Sequence, residues 1–121
     1  KLKKIFPIRS ENPYSVIKMA FTKLTKINLV LEGKILVIKT KYCNVALTKL
    51  NGDIIAFEDV CTHDGEIISC GKLEGEIITC PRHFAKFNII TGSVVAKPAT
   101  EPLAVFKVNV NGDDVEVDLE N

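Results

Sequence analysis

A chain of 121 residues with 46% hydrophobic side chains supports one domain with a real core and leaves no room for a second, catalytic domain. No window approaches the roughly eighteen uninterrupted apolar residues of a helical membrane span, and residues 1–20 lack the apolar run and small-residue cleavage pattern of a signal peptide, so a cytoplasmic location is expected. The net charge is only +1, but residues 1–50 hold eleven Lys or Arg against Glu11 and Glu32, while residues 51–121 hold five against thirteen acids. The lysines are spread through alternating patterns such as residues 34–39 without interleaved aromatics. They therefore read as a solvated face, with a docking patch for a protein partner left open and no nucleic acid expected.

In chain order, the first predicted element is a helical turn over Tyr14–Met19, opened by Asn12-Pro13, inside an N-terminal extension of residues 1–20. The domain proper is placed at residues 21–121. From there the period is two: Lys34–Lys39, Asn44–Leu50, Asp53–Asp59, Glu76–Cys80, Ser93–Val95, Ala104–Val110 and Val115–Leu119 read as short strands rich in Ile and Val. Asn51-Gly52 and Asn111-Gly112 predict tight hairpins. These pieces predict an all-β domain of stacked antiparallel sheets.

The chemistry is concentrated in two short segments. Cys61-Thr62-His63 and, after sixteen intervening residues, Cys80-Pro81-Arg82-His83 each place one thiol and one imidazole on a loop, and these are the chain's only two histidines. Two thiolates and two imidazoles can satisfy one tetrahedral ion, or divide two and two over a binuclear iron–sulfur cluster. A zinc finger pairs its cysteines with each other and its histidines with each other, usually on a helix. Here each pair is mixed, and Asp64-Gly65 and Phe84-Ala85-Lys86-Phe87 read as loop, so the spacing favours the cluster. A zinc-stabilised interaction domain is the remaining alternative.

The set Cys61-Thr62-His63-Asp64-Gly65 and Cys80-Pro81-Arg82-His83, followed by Phe87, Thr91-Gly92, Pro98-Ala99 and Pro102-Leu103, resembles the Rieske family. The likeness is to the soluble Rieske-type ferredoxins that serve oxygenases and related redox chains, and it runs from about Phe21 to the C-terminus. It implies one [2Fe–2S] cluster per chain, with Cys61 and Cys80 on one iron and His63 and His83 on the other. It also implies a cluster-binding lobe, at about residues 59–96, inserted into a larger base.

The resemblance further implies an electron carrier rather than an enzyme, a monomer whose partners are a reductase and an oxygenase or other acceptor. The alternative is a small Rieske subunit of a larger redox enzyme, similar to nitrite-reductase small subunits. An oxygenase α subunit needs two further histidines for a mononuclear iron, and no third histidine is present. The respiratory branch of the family joins its ligand loops by a disulfide at positions that correspond to Glu66 and Arg82, neither of which can cross-link. Cys43 and Cys70 are expected to be free thiols.

High-potential members place a serine and a tyrosine near the sulfurs, at positions that correspond to Ala85 and Phe87. Neither side chain here can donate a hydrogen bond, which implies a potential near the low end of the family range, about −150 mV. Residues 97–102 are expected to form a third loop over the site. The family's usual glycine after the second histidine is Phe84 here, which is strained if that position needs a positive φ and otherwise offers its ring to the surface.

Overall fold

The computed structural model describes residues 20–119, so the expected helical turn over Tyr14–Met19 lies outside the described residues. Among the described residues, eleven strands form three antiparallel sheets. The first contains β1 (Phe21–Lys26), β11 (Asp114–Asp118) and β10 (Val108–Asn111), in that spatial order. The second is β2 (Leu36–Lys39), β3 (Asn44–Leu50), β4 (Asp53–Glu58) and β9 (Val105–Phe106). The third is β5 (Lys72–Glu74), β6 (Ile77–Thr79), β7 (Lys86–Asn88) and β8 (Val94–Ala96). A single 3-10 turn, Ile27–Leu29, follows β1. Among the described residues no helix is long and apolar enough to cross a membrane.

The second sheet is the middle layer, which explains the composition of its strands. On β3, Val45 and Leu47 join Val30, Ala56, Val115 and Val117 in one core against the first sheet. Ala46 points the other way, into a second core with Phe57, Cys61, Ile68, Ile78, Cys80, Ala85, Phe87 and Ile89. Both faces of β3 are therefore buried, and its centre is apolar at consecutive positions instead of alternating. The second core couples the second sheet to the third, and Cys61 and Cys80 are part of it.

The hairpin at Asn51-Gly52 forms as expected. Leu50 pairs with Asp53, both turn residues have positive φ (52° and 88°), and the Glu32 carboxylate accepts the Asn51 N–H at 2.7 Å. At the C-terminal hairpin the turn falls one residue later than expected, because Asn111 pairs with Asp114 and the two-residue loop is Gly112-Asp113.

Three other expectations need correction. Lys86 and Phe87 belong to strand β7, paired with Thr79 and Ile78, and are not loop. The run Ala104–Val110 is two strands: β9 pairs with β4, β10 pairs with β11, and the chain changes sheets at Lys107, whose carbonyl accepts the Asp118 N–H at 3.0 Å. Strands β1 and β5 are additional. A bulge between Lys23 and Thr25 breaks the period of β1, and β5 is three residues long with one apolar side chain.

Gly92 closes the third sheet against the chain that follows residues 97–102. Its φ is +82°, its carbonyl accepts the Leu103 N–H at 2.8 Å, and an added Cβ would lie 2.3 Å from the Leu103 carbonyl oxygen. Gly92→Ala combines a left-handed backbone with a backbone clash and should lower unfolding free energy by about 2 kcal/mol or more. Chemical denaturation of wild type and variant checks this, and equal midpoints would contradict it.

Candidate metal centre

The two loops that carry the Cys-His pairs have the same backbone frame. In the first, after β4, the Cys61 N–H donates to the Glu66 carbonyl (2.7 Å) and the Gly65 N–H donates back to the Cys61 carbonyl (2.7 Å). In the second, between β6 and β7, the Cys80 N–H donates to the Ala85 carbonyl (2.8 Å) and the Phe84 N–H donates to the Cys80 carbonyl (2.9 Å). Each loop thus carries one bond from position i to i+5 and one from i+4 to i, counted from its cysteine. The frame needs a left-handed residue at i+4: Gly65 has φ +79° and Phe84 has φ +66°.

Phe84 therefore satisfies both sides of the earlier alternative. Its backbone is strained, at a cost of about 1–2 kcal/mol relative to glycine, and its ring is also 67% exposed. Local strain of this size persists only where neighbouring bonds determine the conformation, as the two bonds of this loop do.

The frame sorts the donors by depth. Cys61 and Cys80 are fully buried, whereas His63 and His83 are exposed, with ring centroids 5.0 Å apart and planes at 80°. The donor atoms fall into two sets, Cys61 with Cys80 and His63 with His83. An Asp64 oxygen belongs to both, all atoms of each set lying within 4.8 Å of one another. Burial pushes the Cys61 thiol above its ordinary pKa. The chemistry of the donor set fits a binuclear cluster: soft thiols on the core side, imidazoles on the solvent side, paired two and two.

Side chains outside the ligand motif hold the loops, and the sequence reading missed them. Asp59, 3% exposed, accepts the Ile68 N–H (2.9 Å), the Ser69 N–H (2.7 Å) and the Ser69 hydroxyl (2.7 Å), tying the end of the first loop to its beginning. The Thr62 hydroxyl donates to the Glu101 carbonyl at 2.7 Å, and Ala99 and Leu103 are buried in the same core as both cysteines. Residues 97–102 thus pack beside the first loop.

No disulfide joins the loops at Glu66 and Arg82, and an ion pair links them instead. Arg82 reaches across to Asp64, with Nε donating to Oδ2 at 2.5 Å and Nη2 to Oδ1 at 3.1 Å. Oδ1 also accepts the Glu66 N–H at 3.0 Å. The guanidinium, and secondarily that N–H, hold the Asp64 carboxyl far below the usual carboxylate range, and the same pairing raises Arg82 above its own. The signal was present as opposite charges in the two equivalent loops. Cys43 and Cys70 are free thiols, as expected.

Comparison with known proteins agrees with this geometry. Residues 20–107 match the model of the Rieske [2Fe–2S] domain family. The biphenyl dioxygenase ferredoxin subunit of Pseudomonas sp. (strain KKS102) is 35% identical over 102 residues, covering 84% of this chain and 94% of its own. The biphenyl 2,3-dioxygenase ferredoxin component of Rhodococcus jostii (strain RHA1) is 36% identical over 102 residues, covering 84% and 95%. Among solved structures, a chain from the complex of reduced oxygenase and oxidized ferredoxin in carbazole 1,9a-dioxygenase superposes with a TM-score of 0.76 at 31% identity, covering 84% of this chain and 94% of that one. The Sphingomonas yanoikuyae B1 ferredoxin gives a TM-score of 0.76 at 25% identity, covering 81% and 97%. With its loop frame, its two-and-two donors and a match across most of its length, the chain belongs to the Rieske [2Fe–2S] domain family.

Proposed function

We propose that this protein is a low-potential Rieske-type ferredoxin, a one-electron carrier between a reductase and an oxygenase or other redox enzyme. In this reading Cys61 and Cys80 hold one iron, His63 and His83 hold the other, and residues 59–96 form the lobe that carries them on a domain beginning at residue 21. It is a monomeric, cytoplasmic electron-transfer component with one cluster per chain and no catalytic site of its own. When bound, a [2Fe–2S] cluster supplies a one-electron couple.

The observation that carries the reading is the partition of donors into a buried thiol pair and an exposed imidazole pair. A single tetrahedral zinc would draw all four donor atoms into one set, with ligand atoms within about 4 Å of one another. Exposed imidazoles also suit a carrier, because they bring the edge of the centre to the surface that a partner meets. In the loops that carry His63 and His83, Ile67 (47%) and Phe84 (67%) are exposed apolar side chains beside the charged Asp64, Glu66 and Arg82. Beside Phe84 runs a groove lined by Lys72, Glu74, Thr79, Pro81 and Lys86. A small apolar face with mixed charges at its rim fits a transient complex that must release its partner after each electron.

The low potential is supported by what surrounds the thiols. Ala85 and Phe87 are both fully buried in the core that contains Cys61 and Cys80, and neither side chain donates a hydrogen bond. Without such donors, added negative charge at the sulfurs is stabilised less, and the potential belongs near about −150 mV.

Two measurements test the proposal. The reconstituted protein should accept one electron per chain and pass it to an aromatic-ring oxygenase, and Cys80→Ser should lose both the visible absorption and the transfer. A Cys80→Ser protein with undiminished absorption and transfer would overturn the ligand assignment. Phe87→Tyr should raise the midpoint potential by roughly 40 mV, the equivalent of one hydrogen bond of about 1 kcal/mol at a one-electron centre. Protein-film voltammetry that finds an equal or lower value would show that this side chain does not face the sulfurs.

A further inference from the structure

Arg82 stands on the second ligand loop, between Cys80 and His83, yet its hydrogen bonds go to the first loop and the segment that follows it. Nε and Nη2 fork onto the two carboxylate oxygens of Asp64, Nη2 also donates to the Ile67 carbonyl at 2.8 Å, and Nη1 lies 3.8 Å from Cys70 Sγ. The pair is largely withdrawn from water, with side-chain exposures of 30% for Arg82 and 16% for Asp64. A forked guanidinium–carboxylate contact fixes orientation as well as distance, and a lysine cannot reproduce it.

Asp64 occupies an unusual place. One of its oxygens lies 4.0 Å from Cys80 Sγ, and the carboxylate falls within reach of both the thiol pair and the imidazole pair. Left alone there, a carboxylate would act in two harmful ways. It could compete as an oxygen ligand for the metal, and its negative charge would oppose an incoming electron. Arg82 occupies both of its oxygens and cancels its charge.

We propose that Arg82 and Asp64 form a neutral clamp that holds the two ligand loops together and sets the electrostatic contribution of this site to the redox potential. Both are positioning residues: neither binds the metal, and each acts through the loops and through the field at the centre. The assignment rests on the ligand reading given above. It predicts a pattern that loss of folding alone would not produce, because the two halves of the clamp have opposite charge. Removing the arginine leaves an uncancelled negative charge and lowers the potential; removing the carboxylate leaves an uncancelled positive charge and raises it. Removing both restores neutrality while leaving the loops untied.

The test uses the cluster-loaded full chain and the variants Arg82→Gln, Asp64→Asn, the double variant and Arg82→Lys. Midpoint potential is read by protein-film voltammetry, and cluster retention by the rate of bleaching in the presence of an iron chelator. Arg82→Gln should lower the potential and Asp64→Asn should raise it, the double variant should return close to wild type, and all three should lose iron at least tenfold faster. Arg82→Lys should keep the potential near wild type but lose iron faster, since it keeps the charge without the fork. Potentials that shift in the same direction in the two single variants, or not at all, would overturn the electrostatic role. Wild-type bleaching rates in Arg82→Gln and Asp64→Asn would overturn the mechanical one. If one single variant does not retain cluster, the sign of the shift in the other, with the Arg82→Lys rate, still decides the matter. A wild-type chain that assembles no iron–sulfur centre would remove the ligand reading and the clamp together, which separates that failure from a failure of the clamp alone.

Discussion

The structure depends on one repeated backbone constraint, the loop frame in which a cysteine N–H donates five residues ahead and its carbonyl accepts from the residue four ahead. That frame turns a sharp corner just beyond a strand, after two intervening residues at β4 and directly after β6, and it buries the thiol against the core while the following imidazole is exposed. It appears at Cys61 with Glu66 and Gly65, and again at Cys80 with Ala85 and Phe84. Two copies facing each other give a centre with inner sulfur donors and outer nitrogen donors, and the rest of the fold serves to keep them facing. The second core does so from below, since it joins Cys61 and Cys80 to Phe57 of the base and to Ile78 and Phe87 of the third sheet. Asp59 does so from the side, through three hydrogen bonds to Ile68 and Ser69.

Backbone strain and an exposed apolar side chain coincide at Phe84, in the second loop of the centre. Phe84 is held at a positive φ that glycine would adopt freely, and its ring is left in water beside His83. Away from the centre, Lys23 and Lys26 pair with Asp114 across the first sheet at 3.4 and 2.8 Å, exposed contacts of small energetic weight. The strained phenylalanine therefore stands out as a local cost at the exposed edge of the centre.

The candidate donor set, Cys61, His63, Cys80 and His83, was legible in the sequence because it depends on residue identity at short spacing within single loops, which a linear reading can see. The strands β3 and β4 and their Asn51-Gly52 turn were legible for a similar reason, since each strand is six or seven residues long and the turn type requires that pair. Strands β5 and β7 were not, because three residues with one apolar side chain, Leu73 or Phe87, carry no period. The break at Lys107 was hidden because both halves of Ala104–Val110 are apolar, and only their pairing partners reveal the change of sheet. The link between Asp64 and Arg82 was hidden because it joins residues eighteen positions apart that meet only when the two loops face each other.

The most direct test of the central claim, that His63 and His83 share one iron while Cys61 and Cys80 share the other, is pulsed EPR of the dithionite-reduced protein. The expected result is a reduced [2Fe–2S] signal with strong couplings to two directly bound histidine nitrogens. A signal without nitrogen coupling, or a colourless, EPR-silent protein carrying one zinc per chain, would contradict it.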